Sequence, residues 1–90
     1  MSLNEELKKC FSIMELMYDH DYLMEFINTP IDELSKYHIE FGPWIKKHLL
    51  REEGVLYKLF LENNVKYKDD MLFLIIGSFH QHLLNKYKEH

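Results

Sequence analysis

Alanine is absent from this 90-residue chain, arginine occurs once against ten lysines, and cysteine and tryptophan occur once each. The lone thiol, Cys10, excludes an intrachain disulfide, so stability must come from packing. One guanidinium, that of Arg51, all but removes the bidentate reading of guanine edges. Three glycines and two prolines leave no glycine-rich phosphate loop and no flexible linker. The longest apolar run, Met71 to Ile76, falls far short of the ~20 residues that cross a bilayer. No secretory pattern opens the chain, so the expected compartment is the cytoplasm, without membrane attachment. The missing alanine, beside plentiful Ile, Asn, Tyr and Phe, reads as coding bias of an A+T-rich genome and carries no function.

What remains is ample for a core. Apolar residues make up 47% and charged residues 29% of the chain, the balance of a globular domain and not of a disordered tail. A single domain over residues 1–90 can bury roughly 60–65% of its unfolded surface.

Apolar spacing points to helices throughout, since nothing alternates with period two for long. Asn4 is the expected cap of a first helix whose buried stripe is Leu7, Cys10, Phe11, Met14, Met17 and Tyr18. Asp19 or Asp21 opens a second, which buries Tyr22, Leu23, Phe26 and Ile27. Thr29 and Pro30 then read as N-cap and first residue of a third, running from Ile31 to about Tyr37 with Glu33 complementing its start. Gly42 suggests a turn, and Pro43 the first turn of a fourth helix that carries Trp44, Ile45, His48 and Leu49 on one side. Around Glu53-Gly54 that helix ends or bends, and Leu56, Leu59 and Phe60 line a fifth, closed by Asn63-Asn64. The last helix is expected from a cap at Asp69 or Asp70 to about Tyr87. Apolar nearly all round at its start, it should be the central one. Gly77 costs that helix about 1 kcal/mol relative to alanine, which suggests a bulky neighbour there, and Trp44 is the expected one. The fold class is therefore all-α, a compact single domain of five or six short helices around a long C-terminal helix.

The chemistry-bearing residues yield no catalytic constellation. His80 and His82, in the stretch "DDMLFLIIGSFHQHLL", would chelate from a strand, but on a helix they lie about 200° apart. A metal site would need His38 or His48 brought in by the fold, with Cys10 or a carboxylate, and no spacing supports that. Cys10 lies on an apolar stripe, the place of an inert thiol. The acid pairs Glu5-Glu6, Asp32-Glu33 and Asp69-Asp70 all sit at expected helix starts, where the helix dipole accounts for them. No catalytic residue, no cofactor and no metal ligand are assigned.

Charge is unevenly placed. Residues 1–43 carry nine acids and three lysines, whereas residues 44–68 carry six basic residues and three acids. Such asymmetry can mark a partner-facing surface, or faces that neutralise one another within the fold. The basic cluster Lys46, Lys47, Arg51, Lys58, Lys66 and Lys68 raises a nucleic-acid reading, but a net charge of −4 and the scarcity of arginine predict weak binding at most. Tyr57 and Tyr67, interspersed there, read as half-buried packing residues.

The segments "LMEFINTP", "EFGPWIKKHLL" and "NNVKYKDDMLFLIIGSFHQHL" together resemble a family of short bacterial domains of unknown function. The resemblance covers roughly residues 27–84. Its pattern is Phe-Gly-x-Trp-Ile-Arg, a variable helix, Asp-Asp, and an Ile-rich helix with an aromatic near its end. Phe41, Gly42, Trp44, Ile45, Asp69, Asp70, Ile75, Ile76 and Phe79 match, while Lys46 replaces an arginine and Leu72 stands where a serine is usual. The resemblance implies bacterial origin and no particular activity. The expected function is a non-catalytic protein-interaction or regulatory module, with another protein as partner and a homo-oligomer open. Candidate binding residues are Trp44, Lys46, Lys47, Arg51, Asp69 and Asp70. Alternatives are a nucleic-acid-associated protein using the Lys46–Lys68 surface and a histidine metal-binding domain.

Overall fold

The computed structural model describes residues 2–88. They form α1 (Leu3–Met17), α2 (His20–Ile27), a 3-10 turn (Ile31–Lys36), α3 (Tyr37–His48), α4 (Val55–Glu62) and the long α5 (Lys68–Lys88). No strand occurs among the described residues. The fold is all-α, and every element contributes to one buried cluster. α5 is its axis: α1, α2, the 3-10 turn and α3 all lie against it, while α4 packs on α1.

The helix starts follow local chemistry. Ser2, not Asn4, caps α1: its hydroxyl oxygen accepts from the Glu5 amide at 3.2 Å and its proton goes to the Glu5 carboxylate at 3.0 Å. Asn4 is left inside the first turn because this Ser-x-x-Glu pairing already satisfies the start. Of the two expected starts, Asp19 caps α2, accepting from the Tyr22 amide at 2.8 Å, and Asp21 lies in its first turn. Thr29 does not cap forward. Its hydroxyl donates back to the Glu25 carbonyl at 2.9 Å, one of the free carbonyls at the end of α2, and the Tyr37 hydroxyl at 3.3 Å donates to it in turn. This buried pair sews α2 to the start of α3. Asn63 closes α4 and Asn64 takes a left-handed φ of 64°, a conformation asparagine tolerates better than most residues. Asp69 and Asp70 lie within the first turn of α5 and are not its caps, since the helix already starts at Lys68.

The largest departure from the sequence reading is at Gly42-Pro43. No turn forms there, because both residues lie inside α3, which continues the 3-10 turn without a break. Two physical reasons allow it. The clash that a proline ring imposes on the preceding residue falls partly on that residue's Cβ, which Gly42 lacks. The carbonyl deprived of its partner is that of Ile39, itself 81% exposed, where water can donate to it. The opposite face carries Tyr37, Phe41 and Ile45 at helical spacing, all buried. α3 ends at His48, well before the bend expected near Gly54, which instead caps α4. Gly42 meets α5: a Cβ there would lie 3.2 Å from Leu72 Cδ2.

The core is aromatic at its centre. Phe26, Tyr37, Phe41 and Phe79 interlock, edge to face or tilted except for the stacked pair Phe26–Phe79, with centroids 4.7–6.5 Å apart. Cys10, Phe11 and Met14 are buried on the α1 stripe as expected, but Met17 is 40% exposed. Burial first, and Glu6 second, push the Cys10 thiol up to about 11, which keeps it protonated at neutral pH. The start of α5 is not covered all round: Phe73 and Leu74 face outward.

Polar contacts bind α5 to its neighbours. Glu15 of α1 accepts from Lys86 Nζ at 2.6 Å and from His82 Nε2 at 3.1 Å, two residues one turn apart on α5. Partial burial pushes the Glu15 carboxyl up, but the hydrogen bonds and charges of Lys86 and His82 outweigh it and hold the carboxyl below its usual 4.5. A depressed carboxyl contributes stability above its unfolded value and loses it as pH falls through the folded one. Unfolding midpoints in urea should therefore drop as pH falls below 4.5, and Glu15→Gln should flatten that acid limb while lowering stability at neutral pH. Equal slopes for the two proteins would show that the pair is not coupled to folding.

Candidate functional site: an apolar groove beside the central helix

α5 buries Ile75, Ile76, Phe79 and Leu83 along one side, and its run of six apolar residues from Met71 to Ile76 exceeds what one side can cover. The surplus forms a groove of about 340 Å³ between α5 and the segment Ile31 to His38. Leu34 and Ile76, both buried, make its floor. Ile31, 75% exposed, and Phe73, 63% exposed, stand at its edge. The His38 ring lies 5.7 Å from that of Phe73, and Asp32 and Ser35 complete the rim.

Gly77 lies in this groove, exposed, and nothing is within 4 Å of the position its Cβ would take. The bulky internal neighbour expected there is missing. Trp44 does not fill the gap: it is half-buried at the edge of the core, with its ring 5.1 Å from that of His48. Trp44 follows the proline within α3, and the continuous helix carries it away from Gly77. Of the residues sharing its side, Ile45 is buried, Leu49 half-buried and His48 exposed.

Of the sequence-derived candidates, the fold brings two together. Lys46 Nζ reaches Asp69 Oδ1 at 2.7 Å, linking α3 to the first turn of α5. The Lys46 hydrogen bond and charge, with a smaller contribution from His38, hold the Asp69 carboxyl below its ordinary value. Asp70 is exposed one turn before Phe73. Lys47 is exposed, and Arg51 closes a local pair with Glu53 at 2.8 Å. Lys68 approaches Glu52 at 3.9 Å. Tyr57 is half-buried, but Tyr67 is 71% exposed, contrary to expectation, because it lies in the loop just before α5.

The histidines do not converge. His80 is buried, and since a carbonyl can only accept, its Nε2 donates to the Ile27 carbonyl at 3.2 Å, at the end of α2. His82 serves Glu15 on another side of α5. Among the described residues no three His, Cys, Asp or Glu side chains are grouped to hold an ion. None of the residues lining the groove, Ile31, Leu34, Phe73, Ile76 and Gly77 among them, is a candidate binding residue of the sequence. The available signal was an apolar run too broad for one face with a glycine one residue beyond it.

Residues 5–83 match the family described as Domain of unknown function (DUF6794). The chain belongs to that family. No curated protein and no solved structure is matched by it. The groove, the Lys46–Asp69 pair and Trp44 all fall inside the matched span, whose description assigns no activity. No helix of the described residues is long and apolar enough to cross a membrane.

Two glycines of the family segment should answer substitution oppositely. Gly77→Ala should stabilise the fold by about 0.5–1 kcal/mol, as a helix-interior glycine whose Cβ meets nothing. Gly42→Leu should destabilise it by about 1–3 kcal/mol, by forcing the Leu72 contact apart. Urea melts of the two variants give both signs.

Trp44→Ala should cost about 1.5–3 kcal/mol, below the 3–5 kcal/mol of a fully buried ring, because part of the indole already meets water. A change under about 1 kcal/mol would mark Trp44 as a surface residue free for a partner.

Proposed function

We propose that this protein is a small bacterial, cytoplasmic interaction module, non-catalytic, that docks another protein in the groove between its 3-10 turn and α5. The observation that carries this reading is the unfilled position at Gly77, floored by Leu34 and Ile76 and edged by the exposed Ile31 and Phe73. A mid-helix glycine with no internal contact is a standing loss of stability, and exposed large apolar side chains around a depression are what a partner covers. The walls also favour a protein over a small molecule. Ile31 and Phe73 stand mostly in solvent, so an occupant has to cover them from outside and cannot simply be enclosed by them.

The non-catalytic part of the reading is supported by where the reactive groups are committed. The Cys10 thiol is buried and protonated, His80 holds Ile27, His82 holds Glu15, and Asp69 holds Lys46. Nucleic-acid binding is the weaker reading because three of its six cations, Lys46, Arg51 and Lys68, face acids of the same chain, leaving Lys47, Lys58 and Lys66.

A photo-reactive benzophenone side chain placed at Phe73 tests the docking reading in the native cell. It should cross-link a protein, whereas the same group at Lys58, on α4, should not. Failure to capture protein at position 73, or nucleic-acid adducts at position 58, would replace this reading with another.

A further inference from the structure

We infer that the groove receives one amphipathic helix of a partner protein, with a large aliphatic or aromatic side chain seated over Gly77 and basic residues beside Asp32 and Asp70. This rests on the docking reading above and specifies its occupant. The groove is bounded on one side by α5 and on the other by the 3-10 turn, an arrangement into which a helix can lay side chains at i, i+3 or i+4, and i+7. Gly77 supplies the recess. A Cβ there would meet open space, so the depth is available to an incoming side chain without any movement of the fold.

Charge selects among occupants. Asp32 lines the groove and Asp70 precedes Phe73 by one turn on α5, and among the described residues neither has a cation within ion-pair distance. The third nearby acid, Asp69, already has Lys46. Asp32 is the one acid that lines the groove, and Asp70 lies just beyond it on α5, so the uncompensated carboxylates beside the apolar floor are negative. A second copy bound about a two-fold axis would bring the same acidic rim against itself, which disfavours self-association through this face. A partner helix with lysine or arginine flanking its apolar face meets the rim with opposite charge.

The probe is a synthetic lactam-stapled helix with leucines at i, i+3, i+7 and lysines on both flanks, compared with the same helix carrying glutamates in place of the lysines. Fluorescence anisotropy against the full chain should show the lysine helix binding at least about tenfold tighter than the glutamate helix, a preference that shrinks with added salt. Asp32→Asn with Asp70→Asn should abolish most of that preference. Gly77→Leu, whose side chain enters open space, should abolish binding of the lysine helix while circular dichroism and the urea midpoint show a folded protein.

Equal affinity for the two helices, or binding indifferent to Gly77→Leu, would overturn the inference. So would sedimentation of the wild-type chain as a dimer that protects Phe73 from labelling, since a second copy would then be the occupant. The two readings fail separately. Protein captured at Phe73 in cells together with no preference for the lysine helix removes the basic helix and keeps the docking face. Loss of both results removes the docking face itself.

Discussion

The crossing of α3 over α5 is the contact from which the rest of the molecule is arranged. It is close because Gly42 has no side chain: a Cβ would already press Leu72 at 3.2 Å. At that crossing Phe41 and Ile45 become fully buried, and Phe41 joins Phe26, Tyr37 and Phe79 in the aromatic centre. The Lys46–Asp69 pair closes the same contact at the surface. Being exposed, that pair adds little to stability and more to the register of the two helices. Pro43 beside Gly42 is tolerated because its ring faces water and its unpaired carbonyl lies on the exposed side.

The groove is a consequence of that arrangement. α3 and the 3-10 turn form one continuous path, so fixing α3 on α5 at Gly42 also fixes Ile31 and Leu34 opposite Phe73 and Ile76. The Thr29–Tyr37 hydrogen bond and the His80–Ile27 hydrogen bond hold the α2 end of the same path from within. The groove walls are thus braced by buried polar contacts, while its interior stays open at Gly77.

The charge asymmetry of the sequence resolves in two ways. Part of it is internal, because Lys46 of the basic segment meets Asp69, and Glu15 of the acidic half meets Lys86. The remainder stays at the surface, with Asp32 and Asp70 near the groove and Lys47, Lys58 and Lys66 outside any ion pair among the described residues. A nucleic-acid surface would need the second set undiluted by Glu52, Glu53 and Glu62, which are also exposed.

Sequence alone determined the helical class, the long last helix, the buried stripe of α1 from Leu7 to Met14, the start of α2 to within two residues and the stop at Asn63-Asn64. Each depends on residues within one or two turns of each other, where spacing and capping chemistry act directly. It also separated His80 from His82, since helical geometry alone sets them apart. The candidate site was not legible: none of the candidate binding residues lines the groove, and only Asp70, one turn before Phe73 on α5, comes near a lining residue along the helix. The sequence suggests a turn at Gly42 and a packed contact at Gly77, whereas the packed contact is at Gly42 and Gly77 is open. Nothing local distinguishes them. Whether a missing Cβ admits a neighbour or leaves a recess depends on which surface lies opposite, and that surface belongs to residues some thirty or more positions away. Only the tertiary structure places Leu72 against Gly42 and leaves Gly77 facing open space.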